Sequence, residues 1–147
     1  MNGSIIGEVK TPWHLWTVGI LATLWNAGGM FAWYSIMFGD PEAMEFTPDM
    51  VEYFNAYPVW ALITYTMGTW GAFFGSLVLL LRRKLAIILF VIAVIGLAGT
   101  TLYERAIATM PEAFQGTGQL IFAIVIWTTT IGLLLYARTM ASKGVLR

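Results

Sequence analysis

Apolar residues in this chain gather into four long runs, interrupted only where charged residues, proline or glycine cluster. The first run opens at Thr11-Pro12, which reads as a threonine N-cap with proline at the first helical position, and reaches about Phe38, where Gly39-Asp40-Pro41 ends it. The second starts at Pro58 and stops at Arg82-Arg83-Lys84. The third follows from Leu85 to about Tyr103 with no real loop before it, so the second and third runs are expected to form a tight antiparallel hairpin. The fourth starts near Gln119 and is closed by Arg138. Spans over residues 12–38, 58–81, 85–103 and 119–137 are each long enough to cross the roughly 30 Å hydrocarbon core of a bilayer. The predicted fold is therefore an all-α membrane protein, a four-transmembrane-helix bundle forming one domain over residues 1–147.

Within the segment between the first two spans, residues 39–57, Thr47-Pro48-Asp49 has the form of a helix start. Met50, Val51, Tyr53 and Phe54 would give that helix an apolar face, predicting a short amphipathic helix on the outer surface. Aromatic residues mark the expected interfaces: Trp13 and Trp16 at one end of the first span, Trp33 and Tyr34 near the other, and Trp60 at the start of the second.

Composition agrees, with 59% hydrophobic and only 11% charged residues, against about 25% charged in soluble domains. Charge then gives the pattern a direction. Lys10, Arg82, Arg83, Lys84, Arg138, Lys143 and Arg147 fall in the segments predicted on one side, and Asp40, Glu42, Glu45, Asp49, Glu52, Glu104 and Glu112 in those on the other. Only Glu8 and Arg105 depart from the sorting. The positive-inside rule places both termini in the cytoplasm. Residues 1–10 lack a basic start and the first apolar run is too long for an h-region, so no cleavable signal peptide is expected. Cysteine is absent, which removes disulfides, thiolate ligands and thiol nucleophiles.

Small residues recur on single helix faces: Gly19, Ala22, Asn26 and Gly29 in the first span, Thr64, Gly68, Gly71 and Gly75 in the second, Ala93, Gly96 and Thr100 in the third. In lipid such faces let backbones approach and dispersion contacts accumulate, so Gly68, Gly71, Gly75 and Gly96 are read as packing positions, with Leu79 facing lipid. Asn26 is the one amide near mid-depth and is expected to make a cross-helix hydrogen bond. Trp25, Trp70 and Trp127 also fall near mid-depth, where the interfacial belt does not account for them. Their indoles are expected to fill notches opposite the glycine faces, with N–H groups satisfied by Asn26 or by Thr128, Thr129 and Thr130; an aromatic-lined cavity is the alternative. Glu104, beside Arg105, reads as a helix-end anchor or a contact on a polar path. His14 is the sole histidine and stands apart from any set of potential ligands, so no metal or cofactor is expected. No phosphate loop, nucleophile motif or paired intramembrane carboxylate is present, which argues against an enzyme.

The stretches Thr11-Pro12-Trp13-His14-Leu15-Trp16, Leu24-Trp25-Asn26-Ala27-Gly28-Gly29, Gly68-Thr69-Trp70-Gly71-Ala72 and Lys143-Gly144-Val145-Leu146-Arg147 resemble an uncharacterised family of small four-span proteins of alphaproteobacteria, some labelled sugar transporter. The resemblance implies a bacterial inner membrane and supplies no catalytic residues. Members often carry an acidic residue soon after the Asn-Gly segment, and Phe31-Ala32-Trp33-Tyr34 has none here. Together these features predict a non-enzymatic accessory or scaffold protein that meets membrane lipids, packs against another membrane protein or itself, and does not bind nucleic acid. A small-solute transporter or channel is the first alternative, and a binder of a lipid, quinone or pigment in an aromatic-lined cavity the second.

Overall fold

The computed structural model describes residues 9–147. Residues 1–8, which hold Glu8 and most of the segment read for a signal peptide, lie outside the described part. Helix α1 spans Trp13–Phe38, α2 Pro48–Asn55, α3 Val59–Leu80, α4 Leu85–Leu102 and α5 Thr117–Ser142, and no strand occurs among the described residues. Four of the helices, α4 counted with its extension to Ile107, are long and apolar enough to cross a membrane.

Their ends correct the expected boundaries in detail. Pro12 is the N-cap of α1 rather than its first helical residue, and Thr11 makes no capping bond. Beyond Leu102 the chain continues as a π-helical turn over Tyr103–Ile107, closed by the Ala108 N–H donating to the Tyr103 carbonyl at 2.8 Å. Arg138 does not close α5, which runs on to Ser142 because nothing between them breaks a helix.

The α3–α4 hairpin is the spine of the molecule, and it is built from missing side chains. A Cβ added at Gly96 would lie 2.5 Å from the Thr64 carbonyl oxygen and directly against the Gly68 nitrogen. One at Gly71 would lie 3.0 Å from both the Ala93 nitrogen and the Leu89 carbonyl oxygen. Gly75 instead receives a side chain, the ring of Phe90, and Gly19 on α1 receives Leu80. These two apolar side chains, not the indoles, fill the glycine notches. Leu79 is fully buried in the cluster of Leu15, Phe90, Leu133 and Met140, so its expected lipid-facing position is wrong: α3 turns that side to α1 and α5.

Helix α1 packs on α3 and α5 on α4, while α1 and α5 scarcely touch one another along their length. At the end carrying Lys10 and the α3–α4 turn, a 2.5 Å hydrogen bond between His14 Nδ1 and the Tyr136 hydroxyl ties them. The same end is locked by the last residues of the chain. Gly144 takes a left-handed φ of 71° and turns Val145 and Leu146 into the core. The Arg147 N–H then donates to the Arg82 carbonyl at 2.7 Å, and the Lys84 N–H to the Arg147 carbonyl at 2.9 Å. At the opposite end Tyr53, Tyr57, Ala61 and Tyr103 form a second buried cluster with Phe54 and Phe114 packed against it.

Candidate functional site

Between the unclosed faces of α1 and α5 lies a cavity of about 480 Å³, floored by α3 and α4. Small residues create it. Gly28, Gly29 and Ala32 of α1 and Gly68 and Ala72 of α3 line it, and a Cβ added at Gly28 would meet nothing within 4 Å. The small-residue face of α1 is thus divided: Gly19 and Ala22 are packed, whereas Gly29 lines the void. Leu24, Trp25, Leu97, Phe122 and Ile126 supply apolar wall, and Asn26, Tyr65, Thr69, Thr100, Thr130 and Glu104 supply polar groups. Its size falls within the roughly 300–1,000 Å³ of small-molecule sites, and its mainly apolar lining with a few convergent polar groups matches them.

Five of the six polar residues are partly committed to the fold, the Tyr65 hydroxyl being the exception among the described residues. Asn26 Nδ2 donates to the Ser76 hydroxyl at 3.0 Å, joining α1 to α3, while Ser76 donates to the Ala72 carbonyl at 2.8 Å. Thr69, Thr100 and Thr130 donate to the carbonyls of Tyr65, Gly96 and Ile126 at 3.0, 3.0 and 2.8 Å. A threonine bonded back to its own helix has spent its proton and offers lone pairs only. Glu104 comes from the π-helical turn, a local widening often found at functional sites. Its Oε1 accepts the Tyr57 hydroxyl at 2.8 Å, and the Tyr57 oxygen lies 3.3 Å from that of Tyr53. Burial holds both Tyr53 and Tyr57 above the ordinary phenol range, so both stay protonated donors.

The three mid-depth indoles do different things. Trp25 sits on the cavity rim, 42% exposed, its ring centroid 6.0 Å from that of Phe122. Trp127 donates to the Thr101 hydroxyl at 3.1 Å, away from Asn26 and from the threonine run expected to serve it. Trp70 stacks edge-on against Trp33 at 5.4 Å, and its buried N–H has no partner among the described residues. Trp33, expected to mark the interface near the far end of the first span, donates to the Thr66 hydroxyl at 3.1 Å and so carries the α1–α3 contact past the cavity.

Among the described residues no group of three or more His, Asp or Glu side chains converges as a metal site requires. No protein-family model matches the chain, and neither a curated protein nor a solved structure shows significant similarity to it.

Proposed function

We propose that this is an integral membrane protein that binds a small amphipathic molecule in the cavity between α1 and α5. The observation that carries the reading is the composition of that wall. Polar groups facing hydrocarbon cost free energy unless something pairs with them. Six residues able to hydrogen-bond therefore face a space that lipid tails alone would fill poorly, and an occupant with polar and apolar parts suits it. The charge sorting supports an orientation with the termini and the α3–α4 turn in the cytoplasm and α2 lying on the outer surface, and the family resemblance supports a bacterial inner membrane. The test is chemical: protein purified in mild detergent, extracted with organic solvent and analysed by mass spectrometry, beside a Gly28→Phe variant that fills the void. An amphiphile present near one equivalent and lost in Gly28→Phe is the expected result. Identical extracts from both proteins refute the reading.

An accessory role is the second reading, and the open seam between α1 and α5 is what favours it. A helix of another membrane protein, or of a second copy, would close the bundle there. Native-size analysis in several gentle detergents separates the two: a monomer throughout, with the amphiphile bound, leaves only the first.

A further inference from the structure

The chemistry of the cavity wall narrows the class of occupant, an argument that rests on the ligand-binding reading above. Among the described residues, Glu104 is the only formally charged one lining the cavity. Tyr57 is its single hydrogen-bond partner among the described residues, and it engages one oxygen. Arg105, its neighbour in sequence, is exposed. A carboxylate beside hydrocarbon with one protein donor keeps lone pairs that water no longer satisfies fully, and a cation is the partner that recovers most. The three threonine hydroxyls, each committed to its own helix carbonyl, extend the same bias because they accept rather than donate. Nearby, Trp25, Phe122 and Tyr65 place aromatic rings in the wall, and ring faces attract cations as well as apolar groups. An anionic head would be repelled by the carboxylate, with only the Tyr65 hydroxyl and the Asn26 amide as donors to offset it. A polar neutral head would leave that carboxylate with only the exposed Arg105 as counter-charge.

We infer that the occupant is a lipophilic amine, its ammonium group bound at Glu104 and its apolar body held between Trp25, Phe122 and Ile126. Ammonium N–H groups would meet Glu104 first and the threonine oxygens next. Tyr57, pinned within the buried tyrosine cluster, holds Oε1 by its 2.8 Å bond, which leaves the second carboxylate oxygen for the ammonium group.

Three naphthyl compounds of nearly equal size test this: 1-naphthylmethylammonium, 1-naphthalenemethanol and 1-naphthoate. Saturable binding is measured by equilibrium dialysis of purified full-length protein in mild detergent at neutral pH, against protein-free micelles. The ammonium compound is expected to bind at least about tenfold more tightly than either analogue, the scale of a charge-assisted hydrogen bond. Glu104→Gln should erase that preference while leaving the alcohol within about twofold of wild type, and Glu104→Asp should retain part of it. If Glu104→Gln loses the alcohol as well, Glu104→Asp decides: a kept ammonium preference supports the inference and a lost one overturns it. Alcohol or naphthoate bound as tightly as the ammonium compound, and displaced by Gly28→Phe, overturns the amine and leaves the cavity reading standing. Binding of all three that Gly28→Phe does not change overturns both.

Discussion

Gly96 is where the smallest chemical change should do the most structural damage. A methyl group there would sit 2.5 Å from the Thr64 carbonyl oxygen, and ordinary contact begins at 3.4 Å, so α3 and α4 must part locally by about 1 Å. No rotamer relieves this, because the obstacle is backbone. Overpacking of this kind costs about 1–3 kcal/mol. Separation would also stretch the 3.4 Å contact between the Thr100 and Thr64 hydroxyls, and interhelical hydrogen bonds in membranes average about 0.6 kcal/mol. Gly132 on α5 is the matched control, since a Cβ added there meets nothing within 4 Å. Both glycines are helical, so the gain in helix propensity on substitution by alanine cancels between them and the difference isolates the clash. Reversible unfolding in mixed micelles, titrated with SDS and followed by far-ultraviolet circular dichroism, should put Gly96→Ala about 1–3 kcal/mol below Gly132→Ala. Equal stabilities would mean that α3 and α4 do not approach at Gly96 and that the spine of the bundle lies elsewhere.

The same titration distinguishes two leucines near the end of α3. Leu79 is 0% exposed and Leu81 69% exposed, so Leu79→Ala should cost about 2–5 kcal/mol and Leu81→Ala almost nothing, since lipid fills the space its side chain vacates; a loss in Leu79→Ala as small as that in Leu81→Ala would show that Leu79 faces lipid. Orientation is tested by single cysteines at the exposed positions Ser142 and Glu45 of a chain that has none of its own. A membrane-impermeant maleimide added to intact cells should label Glu45→Cys and spare Ser142→Cys, and the opposite pattern would invert the assignment.

Hydropathy makes the long helices legible because length and apolarity alone set them, and charged or breaker residues punctuate the chain between them. Where the structure departs from that reading, the cause is a fact about neighbours that no single helix encodes. The spacing of Gly19, Ala22, Asn26 and Gly29 places them on one face of α1. What it does not say is that α3 packs closely at Gly19 and leaves space at Gly29, where the nearest atom to an added Cβ is a Thr69 methyl at 3.9 Å. Leu79 departs from its expected position for a related reason. Every residue around it is apolar, so hydropathy cannot tell a lipid-facing leucine from one buried among Leu15, Phe90 and Met140. The π-helical turn has no signal of its own in Tyr103-Glu104-Arg105, yet Glu104 belongs to it. An acidic residue at the end of an apolar run is visible in the sequence; its place in the cavity wall with Tyr65, Thr100 and Thr130 is not, because those residues come from three helices.

The arrangement of fixed points explains why the opening lies where it does. At one end of the bundle, the His14–Tyr136 bond, the chain terminus paired with Arg82 and Lys84, and the cluster around Leu79 hold α1, α3, α4 and α5 together. Across the middle, the Asn26–Ser76 bond fixes α1 to α3. Beyond Asn26, α1 keeps its hold on α3 through Trp33, while its contact with α5 in this region is that of Trp25, just before Asn26, with Phe122. Helix α5 in this half is anchored to α4 by Trp127 and Thr101. The pair α1–α3 and the pair α4–α5 are therefore each tied internally and joined along the α3–α4 spine. The α1–α5 side is left as the seam with the fewest bonds to break.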